Sequence, residues 1–187
     1  MILNIRPERS DDFPAVRALV ATAFRTAPHA APAVDSTGDP GEATLVEWLR
    51  TDRSYLPDLA LVAELDGAVV GHVMTTRSVL EQDATGSAEV PVLGLGPISV
   101  RPDHQKLGIG SALIDATIAV AERNREKLIA LLGDPGYYGR HGWEPATRHG
   151  VASPDPSWGE FFQVRLLAAY DGEVGRFRYA EPFSRLG

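Results

Sequence analysis

A candidate phosphate-binding segment lies at residues 98–114, which read ISVRPDHQKLGIGSALI. An apolar strand is expected to end at Val100, and a glycine-containing stretch after a short polar turn opens an amphipathic helix. Gly108 and Gly110 have no side chains, so a ligand could approach the backbone closely there. The first amides of a helix lack partners within it and lie at the positive end of its dipole. Together with the cation of Lys106, the segment predicts a pyrophosphate-binding loop that directly follows a strand.

The elements around this segment predict the α/β class, with one mixed sheet and flanking helices in a single domain. We expect Ser10 and Asp11 to cap the first helix, and Asp66-Gly67 to form a hairpin turn. Gly142 should close a short aromatic helix. The predicted strands are residues 2–6, 59–65, 68–79, 90–100, 128–132 and 160–167; the predicted helices are residues 10–25, 44–49, 107–123 and 136–141; residues 26–41, 81–89 and 148–158 are expected to be loops.

Composition excludes several classes of protein. The 187 residues carry a formal net charge of −7, which argues against a general nucleic-acid or anionic-membrane surface. There is no cysteine, so disulfides, thiolate metal sites and a cysteine nucleophile are excluded. No cluster with metal-ligand spacing is present, and we predict no metal. Because no run resembles a signal peptide or a membrane span, we expect a soluble cytoplasmic protein.

Two motifs in a fixed order give the chain a resemblance to the GNAT superfamily of N-acetyltransferases. The first is Gln105-Lys106-Leu107-Gly108-Ile109-Gly110, which matches the family's Gln/Arg-x-x-Gly-x-Gly/Ala signature. The second is the aromatic segment at residues 136–145, GYYGRHGWEP, which follows after one predicted strand. With residues 133–135 before it, this segment resembles a bacterial GNAT subgroup whose substrates are mostly unassigned.

The resemblance implies a GNAT fold over residues 1–170, a C-terminal extension at residues 171–187, and acetyl-CoA as the cofactor. It implies that an amine of a small molecule or peptide attacks the thioester directly, in a gap where the fourth strand splays from the fifth at residues 94–97. Tyr138 then matches the position of the phenol that protonates the departing thiolate. Dimers are common among related proteins, so a homodimer stays open. The implied cofactor-binding residues are Ile98, Ser99, Val100, Gln105, Lys106, Leu107, Gly108, Ile109, Gly110 and Ser111.

The general base stays open, because the predicted fourth strand has no ionisable side chain at residues 90–96. Glu64, His72 and Glu89 are alternatives, and an amine that arrives partly neutral would need no base. Tyr137 and Trp143 are expected to be packing residues. His104 could touch a phosphate, His141 is expected to be structural, and Asp134 could cap the aromatic helix or contact a ligand.

Two rival functions are considered beside the enzyme. An acyl-CoA-binding regulator without catalysis would keep the phosphate-binding loop, but Tyr138→Phe would leave its role unchanged. A dinucleotide-binding domain is disfavoured, because Leu113 stands where that fingerprint needs a third small residue, and no leading βαβ unit is visible. A rise in melting temperature with acetyl-CoA but not with NAD would exclude the dinucleotide-binding domain.

Overall fold

The computed structural model describes residues 2–83 and 85–186 and contains one central mixed sheet. The strands are β1 (Leu3–Pro7), β2 (Ala60–Leu65), β3 (Ala68–Glu81), β4 (Glu89–Val100), β5 (Leu128–Leu132), β6 (Glu144–Pro145), β7 (Val151–Ala152), β8 (Phe162–Leu166) and β9 (Gly175–Arg178). The helices are α1 (Phe13–Phe24), α2 (Gly41–Thr51), α3 (Ile109–Arg123) and α4 (Pro135–Tyr138). The mixed α/β architecture predicted from the sequence is confirmed.

The strands lie in the order β1-β2-β3-β4-β5-β8-β6. Along this path β4 and β5 are parallel, while the other neighbours are antiparallel. β9 pairs with the end of β3, and β7 pairs with β9. The segment after residue 170 therefore adds a strand to the sheet, and its Phe177 and Ala180 are buried.

Helices cover both faces of the sheet because each has one apolar stripe. α3 buries Leu113, Ile114 and Ala121 against Leu61 and Val73 on one face. On the other face, α1 and α2 pack against the sheet through a second cluster, which includes Val16, Val20, Val46, Leu49 and Met74. A third cluster, around Leu80, Phe162 and Phe177, closes the end formed by the C-terminal strands.

The start of α1 differs from the prediction. Neither Ser10 nor Asp11 caps the helix; both belong to a short 3-10 turn, and α1 begins at Phe13. Asp12 is the buried carboxylate here, because it accepts hydrogen bonds from the Arg9 amide at 2.7 Å and from the Arg6 guanidinium at 2.7 and 3.0 Å. A tertiary ion pair thus replaces the local cap. Residues 148–158 are also not all loop, since they contain β7 and 3-10 turns.

The centre of β4 is irregular, as the glycines at residues 94–96 predicted. The register with β3 shifts between Val73 and Thr75, which leaves Gly96 and Pro97 in a bulge. β5 pairs with β4 at Leu93 and Gly94 and no further along β4. The two parallel strands therefore separate beyond the bulge, and this gap is where the candidate site begins.

Candidate functional site

The loop before α3 leaves a row of backbone amides without acceptors. Lys106 and Gly108 have φ values of 64° and 82°, and Gly108 is the N-cap of α3. Within the described residues, no oxygen accepts a hydrogen bond from the amides of residues 106–111. No acidic residue lies in the first turn of α3, so the positive end of its dipole is not neutralised. These amides can bind an anion.

The amides open into a cavity of about 670 Å³, here the first cavity. Every predicted cofactor-binding residue lines it except Leu107, whose side chain is 65% exposed. His104, Tyr137 and Arg140 complete the walls. The structure thus brings together residues from β4, the following loop and α3, as the sequence predicted, and adds two residues from the aromatic segment.

Basic groups surround the first cavity on two sides. Lys106 lies on the loop, and the Arg140 guanidinium stacks on the Tyr137 ring at 4.3 Å from its centroid. His104 lies next to Asp103, whose carboxylate accepts from the ring at 2.8 Å. Arg140 was missed from the sequence, although it lies only two positions after Tyr138. Because Arg140 lies in a short turn, the sequence around it has no periodic pattern. Such a sequence cannot distinguish an arginine that contacts a ligand from one that is exposed to solvent.

The backbone of β4 also faces the gap. The Arg101 amide donates to the Val70 carbonyl on β3 at 2.8 Å. Alternate amides of an antiparallel strand face the same neighbour, so Ser99 faces β3, while Ile98 and Val100 face away from it. On that side β5 has already separated, and the Val100 carbonyl accepts from the Gln105 side-chain amide at 3.2 Å. The Ile98 amide is therefore directed into the gap.

A second cavity of about 700 Å³ shares Ile98 with the first. Its walls come from the α1–α2 loop, the start of α2, the β4 bulge, the end of β5 and the C-terminal segment. Aromatic rings from Phe24, Trp158, Tyr179 and Phe183 dominate the lining. Because Ile98 lines both cavities, a ligand in the first would lie next to a ligand in the second.

The two adjacent tyrosines of α4 face different cavities. Tyr137 lines the first cavity and Tyr138 the second, with their rings perpendicular at 5.0 Å. The Tyr138 hydroxyl makes no hydrogen bond to any residue that the structure describes. Burial raises the pKa of this phenol, so Tyr138 keeps its proton at neutral pH.

Neighbouring residues fix α4 in place. Asp134 caps the helix, accepting from the Gly136 amide at 2.8 Å, and Gly142 ends the following turn with a φ of 80°. Trp143 is buried and meets the Tyr138 ring edge-on at 5.9 Å. His141 bridges Ser111 at 3.2 Å and Asp115 at 3.1 Å, which ties the segment to α3. Asp134 therefore caps the helix, and Trp143 and His141 have the packing and structural contacts that the sequence predicted.

The three alternatives for a general base lie outside both cavities. Glu64 pairs with Arg6 at 2.8 Å, and Glu89 pairs with Arg178. His72 is fully buried, with Nε2 at 3.3 Å from the Glu8 carboxylate, and burial lowers its pKa. The carboxylate that does line the second cavity is Glu42, which lies in the first turn of α2.

Comparison with known proteins shows which protein family the chain belongs to. The model of the acetyltransferase (GNAT) domain matches residues 4–146, which is well over half of the chain. The N-acetyltransferase YjhQ of Escherichia coli is 36% identical over 147 residues, covering 75% of this chain and 79% of that protein. The chain therefore belongs to the GNAT family of acetyltransferases, and the predicted resemblance is confirmed.

Solved structures share the whole architecture. The GNAT family N-acetyltransferase YhbS from Escherichia coli, in complex with CoA, has a TM-score of 0.82 at 28% identity, covering 99% of this chain and 93% of that chain. A GNAT family acetyltransferase from Brucella melitensis, in complex with acetyl-CoA, has a TM-score of 0.74 at 30% identity, with coverages of 97% and 98%. The chain is an N-acetyltransferase by family. No helix among the described residues is long and apolar enough to cross a membrane.

Proposed function

We propose that this enzyme transfers an acetyl group from acetyl-CoA to a primary amine of a small molecule or peptide. The observation that carries the proposal is the row of free amides at residues 106–111, which lines a cavity joined to a second one at Ile98. The complexes of the two similar GNAT structures with CoA and acetyl-CoA support the same cofactor.

The residues present fit the pyrophosphate of CoA. A Cβ atom built on Gly108 would meet no heavy atom within 4 Å, so the backbone there is open to a ligand. The amides of residues 106–111 would hold the phosphate oxygens, with Lys106 and Arg140 supplying positive charge. The β4 edge at Ile98 and Val100 has the free backbone groups that pantetheine amides need.

When bound, acetyl-CoA supplies a thioester: the amine lone pair forms a C–N bond to the acetyl carbon, the C–S bond breaks, and sulfur leaves with its electron pair. The Ile98 amide points into the gap, where it can donate to a developing oxyanion. Tyr138 holds a phenolic proton beside the same gap, since burial raises its pKa further above neutrality, and it gives this proton to the departing sulfur. Solvent balances the protons by taking one from the amine nitrogen and returning one to the phenol.

Two glycine variants test the cofactor site against a matched control. Gly108 and Gly67 have φ values of 82° and 85°, and neither has a heavy atom within 4 Å of a built Cβ. Alanine at either position therefore strains the backbone alike, by about 1 kcal/mol. Gly108→Ala should raise the Kd for acetyl-CoA at least about tenfold, because the methyl group obstructs the amides, whereas Gly67→Ala should leave it unchanged. Equal affinities in the two variants would refute the site.

Enzymatic transfer is tested separately, by following free CoA release across polyamines, amino acids, aminoglycosides and peptides. Acetyl-CoA binding without release to any acceptor would favour the regulator over the enzyme. Stabilisation by NAD and not by acetyl-CoA would refute both. A homodimer and a cytoplasmic location stay predictions; sedimentation analysis and cell fractionation check them.

A further inference from the structure

Glu42 is a buried carboxylate that uses only part of its hydrogen-bonding capacity. Its residue is 8% exposed and lines the second cavity. Oε1 accepts from the Ala31 amide at 2.7 Å, while Oε2 is buried and has no partner among the described residues. A buried carboxylate oxygen without a partner is costly, so a cationic ligand at Oε2 would be bound favourably.

The surroundings of Glu42 supply no cation of their own. Among the residues that line the second cavity, Glu42 is the sole carboxylate, and no lysine or arginine is present. The other titratable groups there are His29, Tyr138 and Tyr179. Glu42 lies in the first turn of α2. The cavity therefore offers one carboxylate, which matches one positive charge on a ligand.

Most of the remaining lining of the second cavity is apolar. Leu45, Trp158, Tyr179 and Phe183 line it, and the last two rings stack at 4.7 Å. The lining residue Leu132 is 46% exposed, and Phe161, next to its pairing partner Phe162, extends the apolar surface with an exposure of 57%. Such a surface binds hydrocarbon or aromatic groups and leaves further charges on a ligand without partners.

We propose that Glu42 binds the ammonium group of the acceptor, which gives one proton to solvent before its nitrogen attacks, and that the acceptor is a small monoamine with an apolar or aromatic body. This inference rests on the proposed function, since it assigns the substrate class of the same site. Oε2 is buried, so binding requires that its surroundings shift or that the carboxylate turn about its Cγ–Cδ bond. Polyamines and aminoglycosides would bring charges that the cavity cannot match.

The test uses a charge-removing variant with a control on the same helix. Glu42→Gln keeps an oxygen for the Ala31 amide but removes the charge. Glu47→Gln removes an exposed α2 carboxylate that pairs with Arg17 at 2.7 Å, outside the cavity. The probe is N,N-dimethyl-2-phenylethylamine, a tertiary amine that is cationic at neutral pH and cannot form a stable amide. Calorimetric titration should show a Kd about 10- to 100-fold higher in Glu42→Gln and unchanged in Glu47→Gln.

A second measurement does not depend on any variant folding. The wild-type enzyme should bind 2-phenylethylamine at least about tenfold more tightly than 2-phenylethanol, which has the same body and no charge. In steady-state assays, Glu42→Gln should raise KM for this amine while leaving KM for acetyl-CoA unchanged. Spermidine should be a poorer acceptor than 2-phenylethylamine.

The outcomes separate this inference from the proposed function. Equal Kd values for the probe in wild type and a folded Glu42→Gln refute the role of Glu42, even when the wild type still releases CoA. Equal binding of the amine and the alcohol, or a preference for spermidine, overturns the substrate class. The probe titration needs no acetyl-CoA, so a failure of acetyl transfer would refute the proposed function without deciding the result for Glu42.

Discussion

Replacing Gly110 with alanine tests the contact between α3 and the aromatic segment. A Cβ built on Gly110 would lie 2.6 Å from the Tyr137 hydroxyl oxygen, which is too close for any stable contact. The next atoms, Tyr137 Cζ and Val100 Cγ2, lie at 3.8 Å, an ordinary packing distance. The hydroxyl is therefore the sole obstacle nearby, and the ring cannot move freely because Tyr138 and Arg140 contact it.

The expected change in the free energy of unfolding of Gly110→Ala follows from two opposing contributions. Alanine is favoured over glycine within a helix by about 1 kcal/mol, and overpacking costs about 1–3 kcal/mol. Gly110→Ala alone should therefore lower the free energy of unfolding by about 0–2 kcal/mol. In a Tyr137→Phe background the obstacle is absent, and the same change should stabilise the protein by up to about 1 kcal/mol. The expected coupling energy between the two sites is about 1–3 kcal/mol.

A double-mutant cycle measured by urea unfolding gives this coupling directly. Thermal melting provides a check, since about 1 kcal/mol shifts the melting temperature of a protein this size by about 2–4 °C. Acetyl-CoA affinity should also fall in Gly110→Ala and recover in the double variant, because Tyr137 lines the first cavity. Effects that add within about 0.5 kcal/mol would show that the two residues do not touch, and would refute the reasoning.

Two further predictions concern catalysis and acid stability. Tyr138→Phe should lower kcat by about 10²- to 10⁴-fold with little change in acetyl-CoA Kd, whereas Tyr137→Phe should retain turnover; equal turnover in wild type and Tyr138→Phe would exclude the general acid. Glu8 is buried, which by itself raises its pKa, but the contact with His72 at 3.3 Å and the hydrogen bonds from Arg50 outweigh burial and lower the pKa to about 2. Its stabilisation is thus fully present above pH 4.5, the ordinary value, and is lost as pH falls towards 2, so wild type should lose more stability over this window than Glu8→Gln in acid unfolding experiments. At neutral pH, Glu8→Gln should itself cost about 3–5 kcal/mol, because Arg50 is left buried without its partner.

The lining of the first cavity could be predicted because its signals are local. The strand, turn and helix that carry Gln105, Gly108 and Ser111 are contiguous, and the free amides of a helix N-terminus favour an anion. The bulge at Gly96 followed from glycine and proline in a strand pattern. Arg140 could not be found in this way, because only the packing of α4 against α3 brings it to the first cavity.

The second cavity could not be assembled from the sequence, because its walls are distant along the chain. Glu42 and Tyr179 meet through the packing of α2 and the C-terminal segment, which no local pattern specifies. The error at Ser10 and Asp11 has another cause, because Arg6 pairs with Asp12 and also with Glu64 on β2, and these ion pairs replace a local cap. Contacts within the fold override local propensity at this point.

The pairing of β9 with β3 has a consequence for redesign of the second cavity. Trp158, Tyr179 and Phe183 all lie beyond residue 146, where the match to the family domain ends. The stretch that matches the family domain therefore holds every residue that lines the first cavity, while the segment after it supplies three aromatic walls of the second. Exchanging that segment for the corresponding one of a relative would change these walls and leave the lining of the first cavity as it is.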